Sequence, residues 1–139
     1  MIVYLDSSIV LGMLTSQTNR WKDWGRWEKA YSSALLYLEC RRVVDRWRLK
    51  GTFDEQRATH AGEELRRLRR VITRIALTPS VIERASLPMP TLVKTLDAIH
   101  LATALMLRER LQHDVIFVTH DAQQATAARA LNFETAGSA

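Results

Sequence analysis

The chain has one cysteine, Cys40, in 139 residues. That excludes an internal disulfide and a cysteine-rich metal site, and a reducing cytoplasm fits it. Long apolar runs are also missing, and none approaches the roughly 20 residues needed to span a bilayer. The start, Met1 to Asp6, has no basic stretch and meets a charge too early for a secretory signal. Glycine loops of the GxGxxG or Walker type are absent, so nucleotide binding has no sequence support. There is no internal repeat and no low-complexity segment. What remains is a single domain, residues 1–139, long enough for a three-layer α/β core and too short for two.

Charge is more informative than apolar content. Twenty Lys and Arg face 15 Asp and Glu, a net of +5 and a pI near 9.9. Four of the acids sit where the chain should be apolar. Asp6 ends the run Ile2-Val3-Tyr4-Leu5, and Glu39 interrupts Leu35-Leu36-Tyr37-Leu38 and Cys40. Asp97 opens a stretch from Ala98 to Leu105, and Asp121 closes Val115-Ile116-Phe117-Val118-Thr119. A carboxylate drawn toward a low-dielectric interior either protonates or finds a cation. Setting those four aside leaves 11 acids against 20 bases, a balance of +9 on the rest of the chain. A basic body around an acidic pocket suits a nuclease, because the field attracts a phosphate backbone while the pocket holds metal.

The pattern along the chain alternates strands and helices. Ile2 to Leu5 reads as a strand covered on both faces, followed by a short helix through Leu14 capped by Ser7 or Ser8. A helix is expected over residues 20–29, carrying Trp21, Trp24 and Trp27 at spacings of three, as a partner surface or as core packing. Tyr31-Ser32 is a short strand. Ser33 to Lys50 is a long helix stopped by Gly51, with Leu36, Cys40, Val43 and Trp47 as its apolar face. Asp54 caps a basic helix to about Arg70. Ile72 to Leu77 is a strand, and Pro79 starts a short helix. Leu96 to Leu111 is a buried helix, Val115 to Thr119 a strand, Ala122 to Leu131 a helix with Asn132 as C-cap, and Phe133 to Ala136 a last strand. This order predicts a mainly parallel central sheet flanked by helices and wound by right-handed crossovers.

Functional groups of such a sheet gather beyond the carboxyl ends of its strands, where Asp6 and Asp121 fall. Asp97 in a first helical turn and Glu39 within another helix are candidates for the same crevice. Oxygen-only ligands select Mg²⁺ or Mn²⁺. Each acid also has a structural explanation: a turn or cap for Asp6, a helix-dipole partner for Asp97, a cap for Asp121, an ion pair with Arg42 or Arg46 for Glu39. Capping does not readily explain all four bordering apolar runs. Arg46, two turns beyond Glu39, is the best-placed candidate for a substrate phosphate. His100 reads as core packing and His120 as a solvated loop residue.

The segments IVYLDSS, SALLYLECRRVVDRW, TLDAIHLATAL and VIFVTHDAQQATAARALNFETAG together resemble a PIN domain of the VapC toxin type. The resemblance spans nearly the whole chain. It implies a Mg²⁺-dependent endoribonuclease with Asp6, Glu39, Asp97 and Asp121 as its acidic cluster. Asp6 and Asp97 would anchor metal most directly, with Ser8 and Thr119 as supporting hydroxyls. It also implies a cognate antitoxin and a homodimer. Gln123 stands where the family often has a further acid, which weakens the case for a tightly held second metal. A non-catalytic RNA-binding or adaptor module with the same fold is the alternative. Receiver and phosphatase sites are disfavoured, because Ser7 and Ser8 stand where those need acids.

Overall fold

The computed structural model describes residues 1–15 and 17–138, and its first strand is the centre of the fold. In β1 (Ile2–Leu5), Val3 and Leu5 enter one apolar cluster and Tyr4 the opposite one. A strand covered on both faces needs no polar alternation, which is why it reads as a continuous apolar run. The chain continues through α1 (Ser7–Thr15), β2 (Lys29–Ser33), α2 (Leu36–Leu49), α3 (Glu55–Leu68), β3 (Ile72–Ile75) and α4 (Pro79–Ala85). It ends with α5 (Thr95–Leu111), β4 (Ile116–Val118), α6 (Ala122–Ala130) and β5 (Glu134–Ala136). The strands form one sheet of order β3-β2-β1-β4-β5, with every pairing parallel. The expected α/β class is observed.

Helices cover both faces. On one, Ile9 and Val10 of α1, Leu36 and Cys40 of α2, and Leu65 and Leu68 of α3 pack on Val3, Leu5, Ala30 and Val118. On the other, Leu101, Ala104 and Leu105 of α5 and Ala127 and Ala128 of α6 pack on Tyr4 and Phe117. Strand order reverses at β1: β2 and β3 lie to one side, β4 and β5 to the other. That makes the carboxyl end of the β1–β4 pair the topological switch point, where open α/β sheets form a crevice. Among the described residues, no helix is long and apolar enough to cross a membrane.

Several local expectations are corrected. No helix forms over residues 20–29. The spacing of three is met by successive turns, in which the Trp24 N–H donates to the Trp21 carbonyl and the Arg26 N–H to that of Asp23. Gly25, at φ +85°, supplies a left-handed conformation that a helix would not allow. Trp21 is only 5% exposed, and its ring stacks on Trp27 at 6.4 Å. Trp24 meets Trp27 edge-on at 5.2 Å, and both pack against the first cluster, so the tryptophans are core. Replacing Trp21 by alanine is expected to cost about 3–5 kcal/mol, as large aromatic truncations in cores do, with a smaller loss for half-buried Trp24. Urea unfolding of the two variants checks the order.

The second strand extends from Lys29 through Ser33, so α2 starts at Leu36 rather than Ser33. Its buried face is Leu36, Tyr37, Cys40 and Val44, rotated from the expected stripe. Val43 and Trp47 are half-buried at its edge. Tyr37 takes an inner position within the first cluster, and Arg69 and Arg74 lay their guanidinium groups over its ring, at 5.1 and 5.3 Å. Ser7 and Ser8 lie inside the first turn of α1, and the preceding Asp6 accepts the Ser8 N–H instead. The Asp54 cap holds, through the Arg57 N–H, and Gly51 and Asn132 both adopt positive φ just past their helices.

Candidate active site

The four acids reach the crevice from four elements. Asp6 follows β1 directly, and its N–H donates to the Val118 carbonyl at 3.0 Å, carrying the β1–β4 pairing one residue further. Its side chain is buried, and Oδ2 accepts from Ser8 Oγ at 2.7 Å and from Thr119 Oγ1 at 2.8 Å. Thr119 Oγ1 in turn accepts the Asp121 N–H at 3.0 Å. The two hydroxyls, 3.1 Å apart, thus tie the start of α1 to the end of β4 around one carboxylate oxygen.

Asp121 caps α6, its Oδ1 accepting the N–H groups of Gln123 at 2.9 Å and Gln124 at 3.2 Å. Asp97 stands in the first turn of α5, half-buried. Burial pushes its carboxyl up to about 6, reinforced by the charges of Asp6 and Asp121 and opposed by His100 and Lys94. Asp97 therefore feels the charge of both other aspartates. Gln124 links two of the three, because its backbone holds the Asp121 carboxylate while its side-chain Nε2 donates to the Asp97 carbonyl at 3.2 Å.

Glu39, in the first turn of α2, is held differently. Its Oε2 accepts from Ser7 Oγ at 3.3 Å, and its Oε1 lies 2.6 Å from Nε2 of His100. Neither Arg42 nor Arg46 pairs with it: Arg42 bonds Asp45, and Arg46 is exposed two turns away. His100 is buried, with Nδ1 2.8 Å from the Tyr4 hydroxyl and Nε2 3.9 Å from Asp6 Oδ1. Burial lowers its proton affinity, but the Glu39 bond and the charges of Asp6, Glu39 and Asp97 outweigh this and raise it.

Sequence reasoning missed the roles of His100 and Gln124. His100 is indeed in the core, but it is bonded to one of the four acids. The available signal was its place one turn after Asp97 on a helix apolar all round, where an imidazole has to find polar partners. Gln124, fully buried in an alanine-rich helix, carried a similar signal. His120 is the exposed loop residue expected, but it is tethered. Its N–H donates to Ser8 Oγ, and its ring nitrogens face the Gly137 and Asn19 carbonyls at 2.8 and 3.1 Å. Gly12 leaves room for that ring, since a Cβ there would lie 2.8 Å from its Nε2.

Among the described residues, no three His, Cys, Asp or Glu side chains are gathered tightly enough to hold an ion as they stand. The aspartates are coupled electrostatically without forming a closed cage, and Glu39 is turned to His100. The donor chemistry still fits a hard divalent cation. All four groups are carboxylates, and Asp97 is destabilised as an anion by burial and then by the charges of Asp6 and Asp121.

The PIN domain family matches residues 3–130, and the chain belongs to that family. It is 30% identical to ribonuclease VapC47 of Mycobacterium tuberculosis (strain CDC 1551 / Oshkosh), over 97% of this chain and 96% of that one. The structure is similar to the crystal structure of VapC20 of Mycobacterium tuberculosis, a sarcin-ricin loop cleaving toxin. The TM-score is 0.61 at 16% identity, covering 91% of this chain and 95% of the other, and supports the shared fold.

Proposed function

We propose that this protein is a Mg²⁺-dependent endoribonuclease acting as the toxin of a toxin–antitoxin pair. The observation that carries the reading is the placement of Asp6, Asp97 and Asp121 at the switch point of the sheet, with Glu39 joined to Asp6 through His100. The likeness to ribonuclease VapC47 along nearly the full length of both chains adds weight. In this reading Asp6 and Asp97 hold the metal most directly, Asp121 and Glu39 complete the acidic set, and Mn²⁺ can substitute. The ion supplies activation of water and neutralisation of charge on the scissile phosphate. Ser8 and Thr119 donate to Asp6 Oδ2, which leaves Oδ1 without a donor from either hydroxyl, 3.9 Å from His100 Nε2. The surplus of bases elsewhere draws the RNA backbone toward the pocket, with Arg46 a candidate phosphate contact. A homodimer and a bound antitoxin complete the proposal.

The test is cleavage of RNA by the purified protein. Activity should require Mg²⁺ or Mn²⁺, vanish in EDTA and return when either ion is restored. Cleavage that persists in chelator points to a metal-free mechanism. RNA binding without cleavage at saturating Mg²⁺ favours the adaptor module.

A further inference from the structure

A buried histidine with a purely structural role needs two partners, and a tyrosine and a backbone carbonyl would serve. His100 has a more specific arrangement. Its Nδ1 meets the hydroxyl of Tyr4, which is fully buried and stacked on Phe117 at 5.3 Å with 16° between the planes. The two rings of the pair meet edge-on at 5.7 Å, so the imidazole is fixed from β1 as well as from its own helix. Its other nitrogen crosses the carboxyl edge of the sheet to Glu39, on a helix packed against the opposite face. Ser7 holds the second oxygen of that carboxylate. The result is a continuous chain from Tyr4 through His100 to Glu39, ending beside Asp6.

We infer that Tyr4 and His100 are positioning residues that act through Glu39, holding its carboxylate in one orientation at the site beside the aspartates. The functional consequence rests on the ribonuclease reading above; the positioning itself does not. With Oε1 turned to His100 and Oε2 to Ser7, Glu39 is pre-oriented to accept a proton or a hydrogen bond from water near the ion. It is not free to swing in as a ligand equivalent to Asp97. Hydrogen-bonding partners behind an active carboxylate typically contribute about 10–100-fold in activity or metal affinity.

The experiment combines kinetics with ¹⁵N-imidazole NMR of the whole metal-free protein. H100L should lower kcat about 10–100-fold with KM for RNA within about twofold, and H100Q, which returns a donor near the Nε2 position, should recover most of the loss. Y4F, which removes one oxygen and keeps the ring stacking, should give a smaller loss of the same kind. In the E39Q background, H100L should add less than a further twofold loss, because residues acting as a unit are not additive. In NMR, E39Q should move the His100 Nε2 signal and D121N should leave it in place. Full additivity with E39Q, or wild-type kcat in H100L, overturns the inference. If H100L does not fold, wild-type kcat in Y4F together with an unchanged His100 signal in E39Q overturns it equally. A wild-type protein that cuts no RNA defeats the ribonuclease reading, and the NMR arm still decides whether Glu39 and His100 are coupled.

Discussion

Replacing Asp97 by asparagine is expected to abolish RNA cleavage and, without metal, to make the protein more stable. The loss of activity follows from the proposed role: an amide keeps the shape but not the charge that holds a divalent ion, so a fall of at least about 10³-fold is expected. The gain in stability follows from the electrostatics. Burial and the neighbouring Asp6 and Asp121 raise the Asp97 carboxyl to about 6 in the folded protein, well above its unfolded value. The folded state therefore binds the proton more tightly, and ionising Asp97 disfavours folding as pH rises from about 4 through 6. At pH 7 that penalty is fully present, and asparagine removes it. Discounted for the solvent that reaches a half-buried group, the gain is about 1–2 kcal/mol, and it fades as pH falls from about 6 towards 4. Asp6→Asn should lose cleavage to the same extent without that gain, because Asp6 accepts from Ser8 and Thr119 and an amide fits those donors less well. Melting curves in chelator at pH 4.5 and 7, beside a cleavage assay, separate the effects. Cleavage surviving in both variants at saturating Mg²⁺ would sink the site.

How far this was legible in the sequence depends on what each signal measures. The four acids were visible because a charge ending an apolar run is costly unless the fold uses it. Their meeting at one crevice depended on strand order, which no local pattern contains: β1 and β4 are neighbours although more than a hundred residues separate them. The tryptophans show the opposite limit. Three aromatics at spacings of three read as one face of a helix, yet consecutive turns have the same spacing, and Gly25 was the only local hint against a helix. The stripe on α2 was misplaced by one position because Tyr37 is buried in the first cluster with residues distant in sequence, beneath the Arg69 and Arg74 guanidinium groups. The one miss is a local turn that shares a helix's period, the other a long-range contact overriding that period.

Asp121 illustrates why structural and functional explanations need not compete. Its Oδ1 caps α6 through two N–H groups, as the structural explanation required, and its charge still reaches Asp97. Capping fixes the side chain at the carboxyl end of β4 and costs the helix nothing, since those N–H groups lack helical partners anyway. Gln124 extends the same economy across the crevice to the Asp97 carbonyl. The local rules that stabilise helix ends are thus used to hold the carboxylates in place.

Expression of this protein alone is expected to arrest bacterial growth, with viable counts falling by orders of magnitude. Co-expression of its antitoxin, sought first in a small DNA-binding protein encoded just upstream, should restore growth and give a stable complex. Glu39→Gln and Asp121→Asn should each relieve the arrest, but for different reasons. Glu39→Gln disturbs the carboxylate that His100 and Ser7 hold, while Asp121→Asn removes a charge felt by Asp97 and keeps an oxygen able to cap α6. Both variants should still bind RNA, because attraction to the backbone comes from the bases outside the crevice and not from the acids within it. That binding should weaken steeply with salt, by roughly 10–10³-fold between 50 and 200 mM for a handful of phosphate contacts. Filter binding of the inactive variants across that range measures the slope without interference from cleavage. Harmless expression of the wild type, with steep salt-dependent RNA binding and no cleavage, would leave the fold and the basic surface intact and transfer the function to the adaptor module.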